Sequence, residues 1–71
     1  ATRITIANDN VAGVLGHVLS ALADAQVNVL DMSNRSRDTL AYNIIDVETA
    51  PAAGVIEAIR GVGGVIRVRV V

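Results

Sequence analysis

The sequence predicts an α+β sandwich in which a four-stranded antiparallel sheet carries two helices on one face, in the chain order βαββαβ. Two observations predict it. Four stretches are rich in β-branched residues or alternate with period two, and two others repeat apolar residues at three- and four-residue spacing. The chain's 71 residues make one domain near the lower limit of what folds alone, and 52% of them are apolar.

Taken in order, Arg3-Ile4-Thr5-Ile6-Ala7 alternates polar and apolar residues and forms the first strand. Asn8-Asp9-Asn10 follows with turn and helix-cap chemistry. The first helix then places Val14, Leu15, Val18, Leu19 and Leu22 on one stripe, with Gly16, His17, Ser20 and Asp24 opposite, and is expected to end near Ala25 or Gln26. β-Branched residues resume at Val27-Asn28-Val29, opening a second strand that runs through Met32 towards Asn34. Leu30 and Met32 are out of phase with Val27 and Val29, so a bulge or an edge position is expected there.

Arg35 to Thr39 reads as the polar hairpin connection. Leu40 to Val47 is the third strand, with Ala41, Asn43, Ile45 and Val47 on one face and Tyr42, Ile44 and Asp46 on the other. Glu48-Thr49-Ala50-Pro51 breaks the pattern, and its proline suits the first turn of a second helix carrying Ala52, Val55, Ile56 and Ile59. Gly61, Gly63 and Gly64 stop that helix. Val65 to Val70 then alternates, with Ile66, Val68 and Val70 inward and Arg67 and Arg69 outward into solvent. Right-handed crossovers in the two βαβ halves give a ferredoxin-like plan, with strands one and three central and strands two and four at the edges. The second strand has few protective charges before Asp31, so pairing with another copy is expected.

Composition narrows the functions. There are no cysteines, and the lone His17, on the polar face of helix one, has no carboxylates at metal-binding spacing, so neither a metal site nor a resident cofactor is expected. Net charge is −1, which leaves no electrostatic footprint for nucleic acid or for an anionic membrane, and Tyr42 alone cannot make an RNA-stacking platform. Polar residues such as His17, Ser20 and Asp24 interrupt the longest apolar stretch well short of a membrane span. With no secretion signal in view, a cytoplasmic location is expected. The chain opens on Ala1 and enters a strand at once, which suggests a piece of a longer polypeptide. Asp46 and Glu48 have no nucleophile and base beside them and read as a solvated strand end, so no catalytic residue is expected. Gly61-Val62-Gly63-Gly64 follows a helix and precedes a strand, the reverse of a phosphate-cradling loop.

The segment with binding chemistry is Asn8-Asp9-Asn10-Val11-Ala12-Gly13-Val14-Leu15, where a strand passes into a helix N-terminus. Unpartnered amides there seat a carboxylate, and Gly13 lets a ligand approach the backbone. The side chains of Asn8 or Asn10 hold a carboxylate through their NH2 or an ammonium through their carbonyl, the two requirements of a zwitterionic amino acid. Asn28 is polar among valines at the start of strand two. Asparagines at turns and caps also serve the backbone alone, and spacing does not separate the two roles.

Four stretches, Asn10 to Leu15, Val27-Asn28-Val29, Ala41 to Val47 and Gly64 to Arg69, in that order resemble the ACT domain, and within that family the regulatory domains of D-3-phosphoglycerate dehydrogenases. Asn34-Arg35-Ser36-Arg37 also resembles that subgroup's hairpin. The resemblance implies allosteric regulation of a parent enzyme whose catalytic and NAD-binding domains are separate from this segment. It further implies a homo-oligomer formed by side-by-side sheets, with L-serine bound at the interface. Asn10, Val11, Ala12, Gly13, Val14 and Leu15 would form the ligand loop of one copy, with Asn28 reaching in from the other. Asn8 stands where a serine-sensitive relative has histidine, and Ala12 where the family favours proline. A dimerisation module whose ligand site has decayed is the alternative that these departures allow.

Overall fold

Six elements follow the predicted order in the computed structural model, which describes all 71 residues: β1 (Thr2–Asp9), α1 (Val14–Asp24), β2 (Val29–Arg37), β3 (Leu40–Val47), α2 (Ala53–Arg60) and β4 (Val65–Val70). The sheet is antiparallel throughout and ordered β2-β3-β1-β4. Central strands β1 and β3 turn Ile4, Ile6, Ala41, Ile45 and Val47 towards the helices, where Val18, Leu22, Ile56 and Ile59 meet them with Val68 of β4. This core contains no aromatic ring, so the two layers are joined by thin aliphatic side chains.

Helix α1 ends as its residues dictate. Gln26 takes the left-handed conformation (φ 59°), its N–H donates to the Ala23 carbonyl, and the Val27 N–H reaches back to the Leu22 carbonyl at 2.9 Å. That paired arrangement satisfies two orphan carbonyls and folds Val27 onto the core. Val27 and Asn28 are thereby drawn into the connection, and β2 begins at Val29 rather than Val27.

Several expectations need correction. Asn8 and Asp9 belong to β1, because Asp9 pairs across to Leu40 and its N–H donates to the Gly64 carbonyl at 2.7 Å. They therefore do not cap α1, whose N-cap is Gly13 in a left-handed conformation (φ 94°) with no side-chain hydrogen bond. Strand β2 runs on to Arg37, so the hairpin turn is Asp38-Thr39 alone, with Asp38 at φ 57°. Residues 35 to 37 are polar yet strand, because they lie on an edge where both faces meet water. Pro51 stands just ahead of the N-cap Ala52, not in the first turn of α2. Ile66 is 59% exposed instead of inward, since the β1–β4 register slips between Ala7 and Asn8 and Val65 takes the place beside Asn8. Val70 keeps the inward side opposite Ile4 but is largely exposed at the end of the sheet.

The bulge expected after Val29 is present: Val29 pairs with Val47 and Asp31 with Asp46, leaving Leu30 as the extra residue. No helix is long and apolar enough to cross a membrane.

Candidate functional site

The chain between β1 and α1 leaves the sheet at the end where the β2–β3 turn also lies. Asn10 ties the two together: its N–H donates to the Thr39 carbonyl at 2.8 Å and its Nδ2 to the Asp38 carbonyl at 3.2 Å. Val11 folds back on Asp9 through a 2.8 Å hydrogen bond, which leaves Val11, Ala12 and Gly13 exposed. The N–H groups of Ala12, Gly13, Leu15 and Gly16 find no partner in the chain. They surround a helix start that has no acidic residue in its first turn, so it offers donors and partial positive charge to an anion. Val14 is buried beneath Gly64, where an added Cβ would come within 2.7 Å of its Cγ2, and Leu15 is half-buried. These two side chains anchor the loop, while Val11 forms its apolar rim.

Asn8 sits below this loop at 3% exposure with both polar atoms engaged. Its Nδ2 donates to the Asp9 carbonyl at 2.9 Å, and its Oδ1 accepts from Asn43 Nδ2 at 2.7 Å. Asn43 in turn accepts from Asn34 Nδ2 at 2.6 Å. A chain of three amides therefore crosses β2, β3 and β1 and ends at the root of the loop. Reading the sequence missed Asn34 and Asn43 as site-supporting residues. The available signal was an asparagine on the inward parity of a strand otherwise made of Ala41, Ile45 and Val47, because a buried amide requires partners.

Asn28 lies at the other end of the molecule, where its Nδ2 donates to Glu48 Oε2 at 2.9 Å. The Val29–Val47 pair marks that end and the Leu40–Asp9 pair the loop end, so the eight residues of β3 separate them. At strand rise that is roughly 24 Å. One copy does not bring Asn28 to Asn10. Both keep a free amide carbonyl, since it is their NH2 groups that make the hydrogen bonds.

Glu48 is thus engaged rather than simply solvated, and so is Asp46. Arg3 Nε and a terminal guanidinium nitrogen donate to the two Asp46 carboxylate oxygens at 2.8 and 3.2 Å. The hydrogen bond from Arg3, and secondarily its charge, hold the Asp46 carboxyl below the usual 3.8 against an opposing desolvation. His17 is exposed on α1, beside the Gly13 backbone.

The two measurable concavities are not at the loop. Both lie on the face of the sheet away from the helices and share Ala7, Leu40 and Tyr42 in their linings.

The structure thus presents a bare sheet edge at β2 and, at the start of α1, a helix end with unpartnered amides. The chain belongs to the ACT domain family, whose model matches residues 2–64, and ACT domains are in general regulatory modules that bind small molecules. Solved structures share the fold at low identity. The ACT domain from GTP pyrophosphokinase of Chlorobium tepidum superposes with a TM-score of 0.75 at 18% identity, covering 99% of this chain and 95% of that one. An ACT domain protein from Streptococcus pneumoniae gives 0.77 at 17%, covering 99% and 85%. A formyltetrahydrofolate deformylase from Pseudomonas putida KT2440 gives 0.75 at 11%; this chain is covered to 99% but spans only 28% of that enzyme. No curated protein matches the sequence.

Proposed function

We propose that this chain is an amino-acid-sensing regulatory domain, with L-serine as the ligand and a D-3-phosphoglycerate dehydrogenase as the enzyme it controls. The observation that carries the sensing role is the exposed Asn10–Gly13 loop with the first turn of α1, which together combine four unpartnered N–H groups, those of Ala12, Gly13, Leu15 and Gly16, with a free Asn10 side-chain carbonyl. The amides receive the ligand carboxylate, and the asparagine carbonyls receive its ammonium. The choice of serine and of the parent enzyme rests on the sequence resemblance at Asn10, Gly13 and Asn28. Asn8, sealed below the loop, holds its root in place.

The site is completed by a second copy. Strand β2 is an edge, and antiparallel pairing of two β2 strands sets the Asn28 end of one copy beside the loop end of the other. A ligand that bridges the copies favours one arrangement of the pair and acts on the enzyme by that difference in affinity. The alternative reading, a dimerisation module without ligand, draws on Ala12 in the loop and on the asparagine NH2 groups already engaged within the chain.

Thermal unfolding decides between them. L-Serine at about a hundred times its Kd should stabilise the domain by about 2.7 kcal/mol, seen as a rise in Tm that D-serine does not produce. Asn10→Ala and Asn28→Ala should each abolish the rise while leaving dimers intact. A Tm indifferent to millimolar L-serine would remove the serine assignment and favour the dimerisation module.

A further inference from the structure

The face of the sheet opposite the helices carries a second arrangement, independent of the loop. Of the chain's six arginines, Arg3 and Arg60 are paired with Asp46 and Glu57, and the remaining four, Arg35, Arg37, Arg67 and Arg69, make no ion pair. All four stand on this open face. The register sets Arg35 of β2 beside Tyr42 of β3, Tyr42 beside Ala7 of β1, and Ala7 beside Arg67 of β4, so one row crosses the whole sheet. Ala7 leaves a low floor between Tyr42 and Arg67. The depression above it, about 400 Å³, is lined by Thr5, Leu40, Tyr42, Ile66, Arg67 and Arg69 as well as Ala7. A second one, about 240 Å³, continues across Tyr42 to Arg35 and Arg37. The strand carboxylates of this face are Asp31 and Asp46 at the far end, where Arg3 engages Asp46, and Asp9 at the near edge beside Leu40.

We infer that this face binds a mononucleotide, its ring lying on Ala7 and Leu40 beside Tyr42 and its phosphate held by Arg67 and Arg69. The two arginines are alternate residues of one strand, about 7 Å apart along it, and both guanidinium groups reach a single dianion placed over the strand. The phosphate selects them because bidentate, charge-assisted hydrogen bonds need planar donors with no competing carboxylate. The apolar floor and single phenol ring select one flat ring rather than a strand of stacked bases, which would need several aromatic platforms. The opposite rim lies three strand spacings away, about 14 Å between backbones, and Arg35 there reaches the ring's outer edge. Guanine presents two acceptors to an arginine on that edge, whereas adenine presents an acceptor and a donor, so a guanine nucleotide fits better. The larger depression, about 400 Å³, lies within the range of small-molecule sites.

The experiment is an NMR titration of the 71-residue chain with GMP, read at the Tyr42 ring protons and the arginine Nε–H groups. Tyr42 is the chain's one tyrosine, with no Phe or Trp to overlap it, so its ring signals are assigned directly. Expected are saturable shifts at Tyr42 and Arg67 that weaken with added salt. Guanosine and inorganic phosphate, each alone, should bind at least about tenfold more weakly than GMP. Arg67→Gln and Arg69→Gln, both on exposed positions, should each weaken GMP binding about tenfold with an unchanged fold. Shifts that fail to saturate, or that persist in the double variant, overturn the proposal. So does phosphate binding as tightly as GMP, or a glutamate decapeptide binding more tightly, which would make the occupant an acidic protein segment. Sedimentation of the double variant provides the remaining arm: a change in oligomeric state would assign the face to a second copy and overturn the nucleotide.

Discussion

Strands β2 and β3 are paired neighbours of similar length, yet they bury almost opposite amounts of side chain. Ile45 of β3 is 0% exposed and Met32, directly across from it on the same side of the sheet, is 39% exposed. One row further on, Asn43 is sealed and its partner Asn34 is open to solvent. The difference is coverage: the helical layer ends over β3, so a residue on β2 can have the correct parity and nothing above it. An alternating pattern in a strand therefore reports a packed second layer, and its absence in β2 reports a strand still lacking one.

The largest effect tests the covered member of the pair. Ile45→Ala should cost about 2–5 kcal/mol in urea unfolding, from lost burial plus the cavity left behind, whereas Met32→Ala should cost less than about 1 kcal/mol in dilute solution. A Met32 cost that climbs with protein concentration would show β2 being covered by another copy. Next is Asn43→Leu, which strips the acceptor from Asn34 and the donor from Asn8 and should cost about 1–3 kcal/mol, most of it at the buried Asn8. Asn34→Leu, removing the exposed end of the same chain, should cost clearly less.

Met32→Lys sharpens the contrast from the other side. The fold should survive, because the side chain reaches water, while any β2-mediated dimer seen by sedimentation equilibrium should dissociate. The smallest effect concerns the outward face of β3. Asp46 is held below its ordinary 3.8 chiefly by the Arg3 hydrogen bond, so its contribution to stability is present above that value and lost as pH falls through the lowered one. Asp46→Asn should lower the urea midpoint slightly at neutral pH and flatten its acid limb below about pH 4, the two proteins converging at low pH.

Legibility followed the same boundary. Where one face packs against a helix, as at Ile4, Ile6, Ala41, Ile45 and Val47, period and chemistry agree, and the residues that alternation groups on one face share the buried side. Where burial is incomplete, polarity misled: residues 35 to 37 looked like loop and are strand. The candidate loop shows in the sequence through Asn10 and Gly13, whose residue types serve turns and anions alike. The buried amide chain does not, because Asn8, Asn43 and Asn34 are separated along the chain and meet only through strand register.

The order of elements, the aliphatic core, the central place of β1 and β3 and the break in phase after Val29 are local or pattern properties, and the sequence by itself determined them. Only the tertiary structure decided that Ile66 is displaced outward by a register slip, that Asn8 is committed to Asn43, and that four arginines share one open face with Tyr42. Each of these depends on which residues stand side by side across strands. Hydrogen-bond register sets that, and a one-residue slip changes it without altering any local preference.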